Sequence, residues 1–207
     1  MPRSTHLVKI LGRALDADAL RQLSSRLVAA LGVNPIQDAL ASTQSDDTYL
    51  ILDRADIDPA LFDGLRTETV ELTETTVLPG KSAGQPAPFH YIVETDIAPD
   101  AEADMNAWYE QEHLPGLAAV EGNVLSRRLV AAQGSPRYYA CYDLVDPSAR
   151  QTAAWTAVTA TPWSSRVRPS FRNTRRTIFA RLPLASASAS PASMPPVSDS
   201  RPESDRP

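Results

Sequence analysis

Residues 5–32, THLVKILGRALDADALRQLSSRLVAALG, open the chain and set the pattern on which the fold prediction rests. Residues 5–13 predict a strand, one face of which carries His6, Val8 and Ile10 and the other Leu7, Lys9 and Leu11. Asp16 is a suitable N-cap, and Gly32 is suited to end the helix between them. That helix has one apolar stripe at helical spacing, formed by Leu20, Leu23, Leu27 and Leu31.

The rest of the first half adds two strands, a short helix and a further strand. Strands are predicted for residues 36–43, for residues 48–54 (TYLILDR), and for the Thr-rich, β-branched residues 69–78. Asp58 and Pro59 predict the start of a short helix that runs through Leu65. The predicted order is therefore βαββαβ, which is the order of a ferredoxin-like unit.

The second half repeats this order of elements. Asp100 is the predicted cap of a helix that Pro115 limits, and Pro147 opens a second helix through Ala160. The predicted strands are residues 89–96, residues 124–132 and 137–144 as a hairpin, and residues 173–182. The fold class is α+β, with two tandem βαββαβ halves.

Composition divides the chain into four parts. The first half takes residues 1–80, a Pro- and Gly-rich linker takes residues 81–88, and the second half, which holds the candidate site, takes residues 89–183. Residues 184–207 are rich in Ser, Pro and Ala and poor in large apolar side chains, so we expect a disordered tail.

Bulk composition narrows the classes of function. The 207 residues carry a net charge of −5, which disfavours nucleic acid as a partner. Cys141 is the only cysteine, which excludes a disulfide within the chain and a Cys-rich zinc site. No signal peptide or membrane-spanning stretch is evident, so we expect a cytoplasmic protein with no membrane partner.

The predicted helix after Asp100 carries the main candidate site. Met105, Trp108, Tyr109, Glu112 and His113 share one face at helical spacing. His113 falls in the last predicted turn, where the helix dipole and nearby acids would raise its pKa and favour the imidazolium. Such a histidine could act as a general acid or bind anions, with Glu112 beside it. The alternative is a histidine that only caps the helix.

Three strands supply further candidates. His90 and Glu94 share a strand face, which suits either a cavity wall or an exposed edge. Arg127 and its neighbour point to opposite faces, so one of the two must be buried or covered. Tyr138 could reach the rim of a pocket. We therefore take His90, Arg127 and Tyr138 as candidate substrate-binding residues.

Residues 161–176, TPWSSRVRPSFRNTRR, are expected to form one Arg-rich loop. Guanidinium groups beside aromatic rings suit the recognition of a carboxylate or phenolate. The candidate binders are Trp163, Arg166, Arg168 and Arg172. The alternative is a structural loop whose arginines pair with acids of the first half. A nucleic-acid patch is a third option, which the acidic remainder of the chain disfavours.

Residues 108–122, WYEQEHLPGLAAVEG, combine a tryptophan, a histidine at a helix end, a loop and a glycine before a strand. This pattern resembles the dimeric α+β-barrel superfamily, which includes EthD-like proteins, antibiotic-biosynthesis monooxygenases and muconolactone-isomerase-like enzymes. The resemblance covers residues 88–183; the first half fits by element order only. It implies an intramolecular α+β barrel, in which the first half replaces a second subunit.

The resemblance also implies a function. Members of the superfamily act without metal or organic cofactor on small, often aromatic, substrates, which would make His113 the acid/base residue with Trp108 and Tyr109 beside it. We therefore expect a cofactor-independent lyase or isomerase, monomeric or homodimeric, that acts on a small anionic aromatic or enolisable carbonyl compound. The alternatives are a non-catalytic binder or scaffold with the same barrel, and a cofactor-free monooxygenase.

Overall fold

A computed structural model describes residues 4–184 of the chain. Its eight strands are β1 (Ser4–Ile10), β2 (Ile36–Ser42), β3 (Thr48–Leu52), β4 (Thr67–Pro79), β5 (Phe89–Ile97), β6 (Asn123–Ala131), β7 (Tyr138–Leu144) and β8 (Phe171–Arg181). Its α-helices are α1 (Ala17–Leu31), α2 (Glu102–Trp108), α3 (Leu114–Ala118), α4 (Ala153–Thr159) and α5 (Pro162–Val167). The tail predicted for residues 184–207 lies, apart from Leu184, outside the described residues.

The eight strands close into one antiparallel barrel. Their order around the barrel is β1-β3-β2-β8-β5-β7-β6-β4, and β4 pairs with β1 to complete it. Strands of the two halves meet twice, where β2 pairs with β8 and where β4 pairs with β6. The predicted α+β class and intramolecular barrel are confirmed.

The alternation of side chains along each strand produces three apolar clusters. One fills the barrel interior, which we call the lumen, with residues such as Leu40, Tyr49, Ile92 and Phe179. A second lies on the outer face of the first half under α1. The third lies on the outer face of β5 and β7 under α2, α3 and α4. The two faces of β5 therefore line two different environments.

The first helix forms as its sequence predicts. Asp16 accepts a hydrogen bond from the backbone N–H of Ala19 at 2.8 Å, and Gly32 takes the left-handed conformation with φ of 75°. Leu20, Leu23 and Leu27 are buried against the first-half sheet. One predicted helix of this half is shorter than expected, because residues after Asp58 form only a 3-10 turn, Pro59–Phe62.

The predicted helix between Asp100 and Pro115 was wrong at both ends. A 3-10 turn, Pro99–Ala101, precedes α2, and no side chain caps it. At the other end a π-helical turn, Tyr109–His113, connects α2 directly to α3. Pro115 lies in the first turn of α3, where a missing N–H is tolerated. His113 is therefore in the middle of a continuous helical segment and not at its end.

Two later segments also differ from their predictions. The helix predicted from Pro147 to Ala160 is broken at Thr152, whose side chain accepts a hydrogen bond from the backbone N–H of Trp155 and caps α4. The segment 161–176 is not one loop, because it contains α5, a 3-10 turn and the start of β8. Thr161 caps α5 in the same way that Thr152 caps α4. Among residues 4–184, no helix is long and apolar enough to cross a bilayer.

Candidate functional site

The site that gathers most of the predicted residues lies between the outer face of the second-half sheet and its helices. We call it the helix-side site. It contains two cavities, an inner one of about 20 Å³ and an outer one of about 220 Å³. Tyr109 lines both cavities. The π-helical turn that begins at Tyr109 places the ring of this residue and His113 on the buried side of the helix.

The inner cavity has aromatic walls and two free polar atoms. His113 is stacked on Trp108, with ring centroids 4.1 Å apart and planes inclined by 25°. Nδ1 of His113 and the hydroxyl oxygen of Tyr142 are buried and have no hydrogen-bond partner among residues 4–184. The other aromatic walls are Tyr91, Trp155 and Phe171, and Arg168 and Arg176 reach the cavity from its exposed side. A volume of about 20 Å³ holds about one water molecule.

The electrostatics of His113 are the reverse of those predicted. Burial, and then the positive charges of Arg168 and Arg128, lower the pKa of His113 to about 3. The predicted increase was wrong because it assumed a helix end, whereas the helical segment continues through α3. The acid next to it in sequence, Glu112, is directed elsewhere. His113 is therefore a neutral imidazole at pH 7.

The outer cavity contains a buried arginine. Arg128 is 4% exposed, and its guanidinium lies 3.7 Å from the ring centroid of Tyr109 and 5.1 Å from that of Tyr138. Its NH2 group donates to the amide oxygen of Asn106 at 3.3 Å, and its Nε has no partner. No aspartate or glutamate in the described part of the chain forms an ion pair with it. Burial lowers the pKa of Arg128, as expected for a cation without an anion.

Five of the predicted site residues meet here. Trp108, Tyr109, His113 and Arg168 line the inner cavity, and Tyr138 lines the outer one with Tyr109. Glu112 is close but has a different role. Its carboxylate accepts hydrogen bonds from Nε1 of Trp108 at 3.2 Å and from the hydroxyl of Thr161 at 2.5 Å. Glu112 thus connects the helix of His113 to the cap of α5, and the predicted catalytic role next to His113 has no support in this geometry.

The other predicted residues lie outside the helix-side site. Trp163 and Arg166 both donate to the carboxylate of Asp104 on α2, at 2.8 to 3.0 Å. Arg172 is exposed and donates to backbone carbonyls of its own segment. His90 and Arg127 point into the lumen, on the opposite side of the sheet. The Arg-rich segment therefore divides, because Arg168 and Arg176 reach the inner cavity whereas Arg166 and Arg172 do not.

Sequence reasoning missed several residues of the site. Arg128 is the buried arginine of the pair, whereas Arg127 was selected. Tyr91, Tyr142 and Trp155 are not among the predicted site residues. Strand alternation puts Tyr138 and Tyr142 on one face of β7, and that face is the floor of the site. In the described residues no group of three His, Cys, Asp or Glu side chains could hold a metal ion.

The lowered pKa of His113 predicts how the free energy of unfolding depends on pH. Between pH 6.5 and about 3, the unfolded chain binds a proton on His113 and the folded protein does not. The free energy of unfolding should therefore rise with pH in that window, by up to about 1.4 kcal/mol per pH unit from this group. We expect His113→Gln to flatten the slope by that amount, measured by urea unfolding at pH 4.5, 5.5 and 6.5. An unchanged slope would mean that His113 titrates normally in the folded protein.

Comparison with known proteins supports the fold of this chain. No protein-family model matches the chain, and no curated protein sequence matches it. Among solved structures, chlorite dismutase from Candidatus Nitrospira defluvii is similar with a TM-score of 0.60 at 9% identity, covering 86% of this chain and 92% of that one. An anthrone oxidase-like protein is similar with a TM-score of 0.55 at 11% identity, covering 88% and 92%.

A third structure comes from Listeria monocytogenes and is a ferredoxin-fold protein related to antibiotic biosynthesis monooxygenases. Its TM-score is 0.52 at 10% identity, with 89% of this chain and 97% of that chain covered. At identities this low, structural similarity establishes a shared fold and nothing more. Each alignment spans both halves of the barrel. The chain therefore has the ferredoxin-like α+β-barrel fold that the resemblance of residues 108–122 to the dimeric α+β-barrel superfamily predicts.

Proposed function

We propose that the protein is a small enzyme whose helix-side site binds a small organic anion with an aromatic or enolisable carbonyl body. The observation that carries this proposal is Arg128, a buried guanidinium at the wall of a cavity. No carboxylate of residues 4–184 forms an ion pair with it, although Glu102 and Glu110 line the same cavity. A buried cation without a partner is costly, and a bound anion would offset that cost. The rings of Tyr109 and Tyr138 would pack against the body of the ligand.

His113 would supply the chemistry of a lyase or isomerase. In the tautomer with its proton on Nε2, the unpartnered Nδ1 of a neutral imidazole can accept a proton from a carbon next to a carbonyl group. In that step the C–H bond breaks, the proton moves to Nδ1, and the electron pair passes to the carbonyl oxygen as an enolate. Burial is the main cause of the lowered pKa of His113, and a bound anion would offset the further lowering that Arg168 and Arg128 cause. Arg128 and Arg168 would stabilise the enolate.

A non-catalytic binder of the same anions is the second candidate. The observation in its favour is the size of the inner cavity, which at about 20 Å³ admits no aromatic ring. The larger outer cavity is not lined by His113, and Tyr109 lines both cavities. A cofactor-free monooxygenase would use the same anion pocket and the same base, with the enolate reacting with oxygen.

The test is a thermal-shift screen against aromatic and unsaturated carboxylates. A ligand at one hundred times its Kd should raise Tm by roughly 5–10 °C. We expect Arg128→Met to lose this shift and Arg166→Met to keep it. Arg166 is the matched control because it is exposed, lies outside both cavities and is paired with Asp104. Equal shifts in both variants, or none in the wild type, would contradict an anion site at Arg128.

An assay for turnover distinguishes the proposed enzyme from a non-catalytic binder. A carboxylate that binds and that also carries a hydrogen on a carbon next to a ketone or aldehyde group is incubated with the protein in D₂O, and exchange of that hydrogen is followed by NMR. The enzyme predicts exchange that His113→Gln abolishes while the thermal shift remains. Binding without exchange in the wild type would assign the protein to the binder class.

Stability without ligand gives an independent check on the same arginine. Replacing a buried, unpaired charge with an apolar side chain of similar length is neutral or stabilising. We therefore expect Arg128→Met to unfold at the same or a higher denaturant concentration than the wild type. A loss of more than about 2 kcal/mol would show that Arg128 has a structural role that its contacts do not reveal.

A further inference from the structure

A second cavity lies on the opposite side of the sheet, where the lumen opens at one end of the barrel. We call it the mouth cavity; it has a volume of about 260 Å³. It shares Thr5, Ile51 and Arg127 with a smaller apolar cavity of about 20 Å³ deeper in the lumen. The mouth therefore leads to the lumen. The helix-side site has no wall in common with either cavity, apart from the sheet between them.

A histidine–aspartate pair stands where the two cavities meet. His90 on β5 is fully buried, and its Nδ1 lies 2.5 Å from Oδ1 of Asp143 on β7. The same carboxylate accepts from Arg181 at 2.8 Å and lies 3.7 Å from Arg127. Although burial opposes it, the charge and hydrogen bond of His90, followed by the charges of Arg127 and Arg181, hold the pKa of Asp143 well below its ordinary value. Asp143 is therefore an ionised acceptor.

The contact with Asp143 determines which nitrogen of the His90 ring can form a hydrogen bond with a group in the lumen. A lone pair on Nδ1 would repel the carboxylate at 2.5 Å, so Nδ1 carries the proton and donates it to Asp143. In the neutral ring Nε2 is then an acceptor. Nε2 is buried without a hydrogen-bond partner, and His90 lines the luminal cavity among apolar side chains such as Leu72, Leu129 and Cys141.

Arg127 adds the complementary group. Its Nε is also buried without a partner, and Arg127 lines both the luminal and the mouth cavity. Its N–H can only donate, whereas Nε2 of a neutral His90 ring accepts. A hydroxyl group can donate to Nε2 or accept from Nε, and one oxygen can do both where the two atoms face the same point of the cavity. Buried polar groups without partners in a native protein call for a hydrogen-bonding occupant, which is either a water molecule or a ligand group.

The charged side chains that line the mouth cavity disfavour the binding of an anion. Its walls carry four carboxylates and two guanidinium groups, from Asp38, Asp53, Glu74, Asp143, Arg127 and Arg181. Both arginines face Asp143, and Arg181 also donates to Asp38 at 2.7 Å. Both guanidinium groups of the mouth thus face carboxylates of the described residues, whereas Arg128 in the outer cavity of the helix-side site forms no ion pair with any of them.

We propose that the barrel mouth is a second ligand site, which binds a small uncharged hydroxyl compound with its hydroxyl group between Nε2 of His90 and Nε of Arg127. The luminal cavity takes the hydroxyl, and the larger mouth takes the rest of the molecule. This site is independent of the helix-side site, because the two lie on opposite faces of β5 and β7.

The test follows the imidazole nitrogens of His90 by NMR in the full-length protein. Glycerol, 1,2-propanediol and phenol are titrated as three hydroxyl probes, with acetate as the anionic comparison. We expect at least one hydroxyl probe to shift the Nε2 signal of His90 saturably, and acetate to leave it unchanged. The signals of His113 report on the helix-side site in the same spectra, so failure at one site is distinguished from failure at the other.

Two variants complete the test. Arg127→Met removes the donor and should weaken binding of the same probe by about tenfold or more, since a hydrogen bond to a charged group is lost. His113→Gln changes only the helix-side site and should bind as the wild type does. The proposal is overturned if no hydroxyl probe shifts His90, if acetate shifts it equally, or if Arg127→Met binds as tightly as the wild type.

Discussion

Lys9→Met should lower the free energy of unfolding by about 3–5 kcal/mol, because it leaves a buried carboxylate without its cation. Lys9 is 4% exposed inside the lumen, and its Nζ lies 2.5 Å from Oε2 of Glu94, which is 2% exposed. Tyr139 accepts from the same Nζ at 3.2 Å, and Tyr49 donates to Oε1 of Glu94 at 2.8 Å. The four groups form one satisfied network across the barrel.

A second substitution shows whether the unpaired charge is the cause of the loss. Glu94→Gln in the Lys9→Met background removes that charge and keeps an oxygen that can accept from Tyr49. We expect the double variant to recover more than half of the lost stability, measured by urea unfolding at pH 7. If the double variant is as unstable as Lys9→Met, the loss comes from packing in the lumen and not from the carboxylate.

Gly80→Ala should lower the free energy of unfolding by about 3 kcal/mol or more, because a methyl group at this position has no space. An added Cβ would lie 2.1 Å from the backbone oxygen of Asn123 and 2.5 Å from its carbonyl carbon. The atoms in the way are backbone, so no side chain can rotate aside. Gly80 also donates from its N–H to the carbonyl of Val124 at 2.9 Å, which holds the end of β4 against β6.

Gly84→Ala is the matched control in the same connection between β4 and β5. No atom lies within 4 Å of an added Cβ there, although φ is +87°. The expected loss is therefore only the cost of a left-handed alanine, about 1–2 kcal/mol. Equal losses for the two variants would show that the close approach to Asn123 relaxes at little cost.

The candidate site could be predicted only in part. The spacing of Trp108, Tyr109 and His113 placed them together from sequence, and the structure brings them to one cavity. The protonation state of His113 was predicted wrongly, because the pKa depends first on burial and then on the charges of Arg168 and Arg128. None of these is visible in the local pattern around the histidine.

The choice between Arg127 and Arg128 shows the same limit. Strand alternation required the two arginines to point to opposite faces, which is a local rule of backbone geometry. Which face is covered by a helix and which opens into the barrel mouth depends on contacts with α2 and with Asp143, both far away in the chain. The burial of Arg128 could therefore be identified only from the tertiary structure.

By itself, the sequence determined the order and type of most elements, because apolar spacing, caps and turn residues act within a few residues of one another. Asp16 and Gly32 delimit α1 in this way. Only the tertiary structure decided where the cavities lie, since β2 with β8 and β4 with β6 join segments from different halves of the chain. Burial and the pKa of a side chain are set by such distant neighbours, so the neutral state of His113 and the free Nε2 of His90 follow from barrel closure and helix packing.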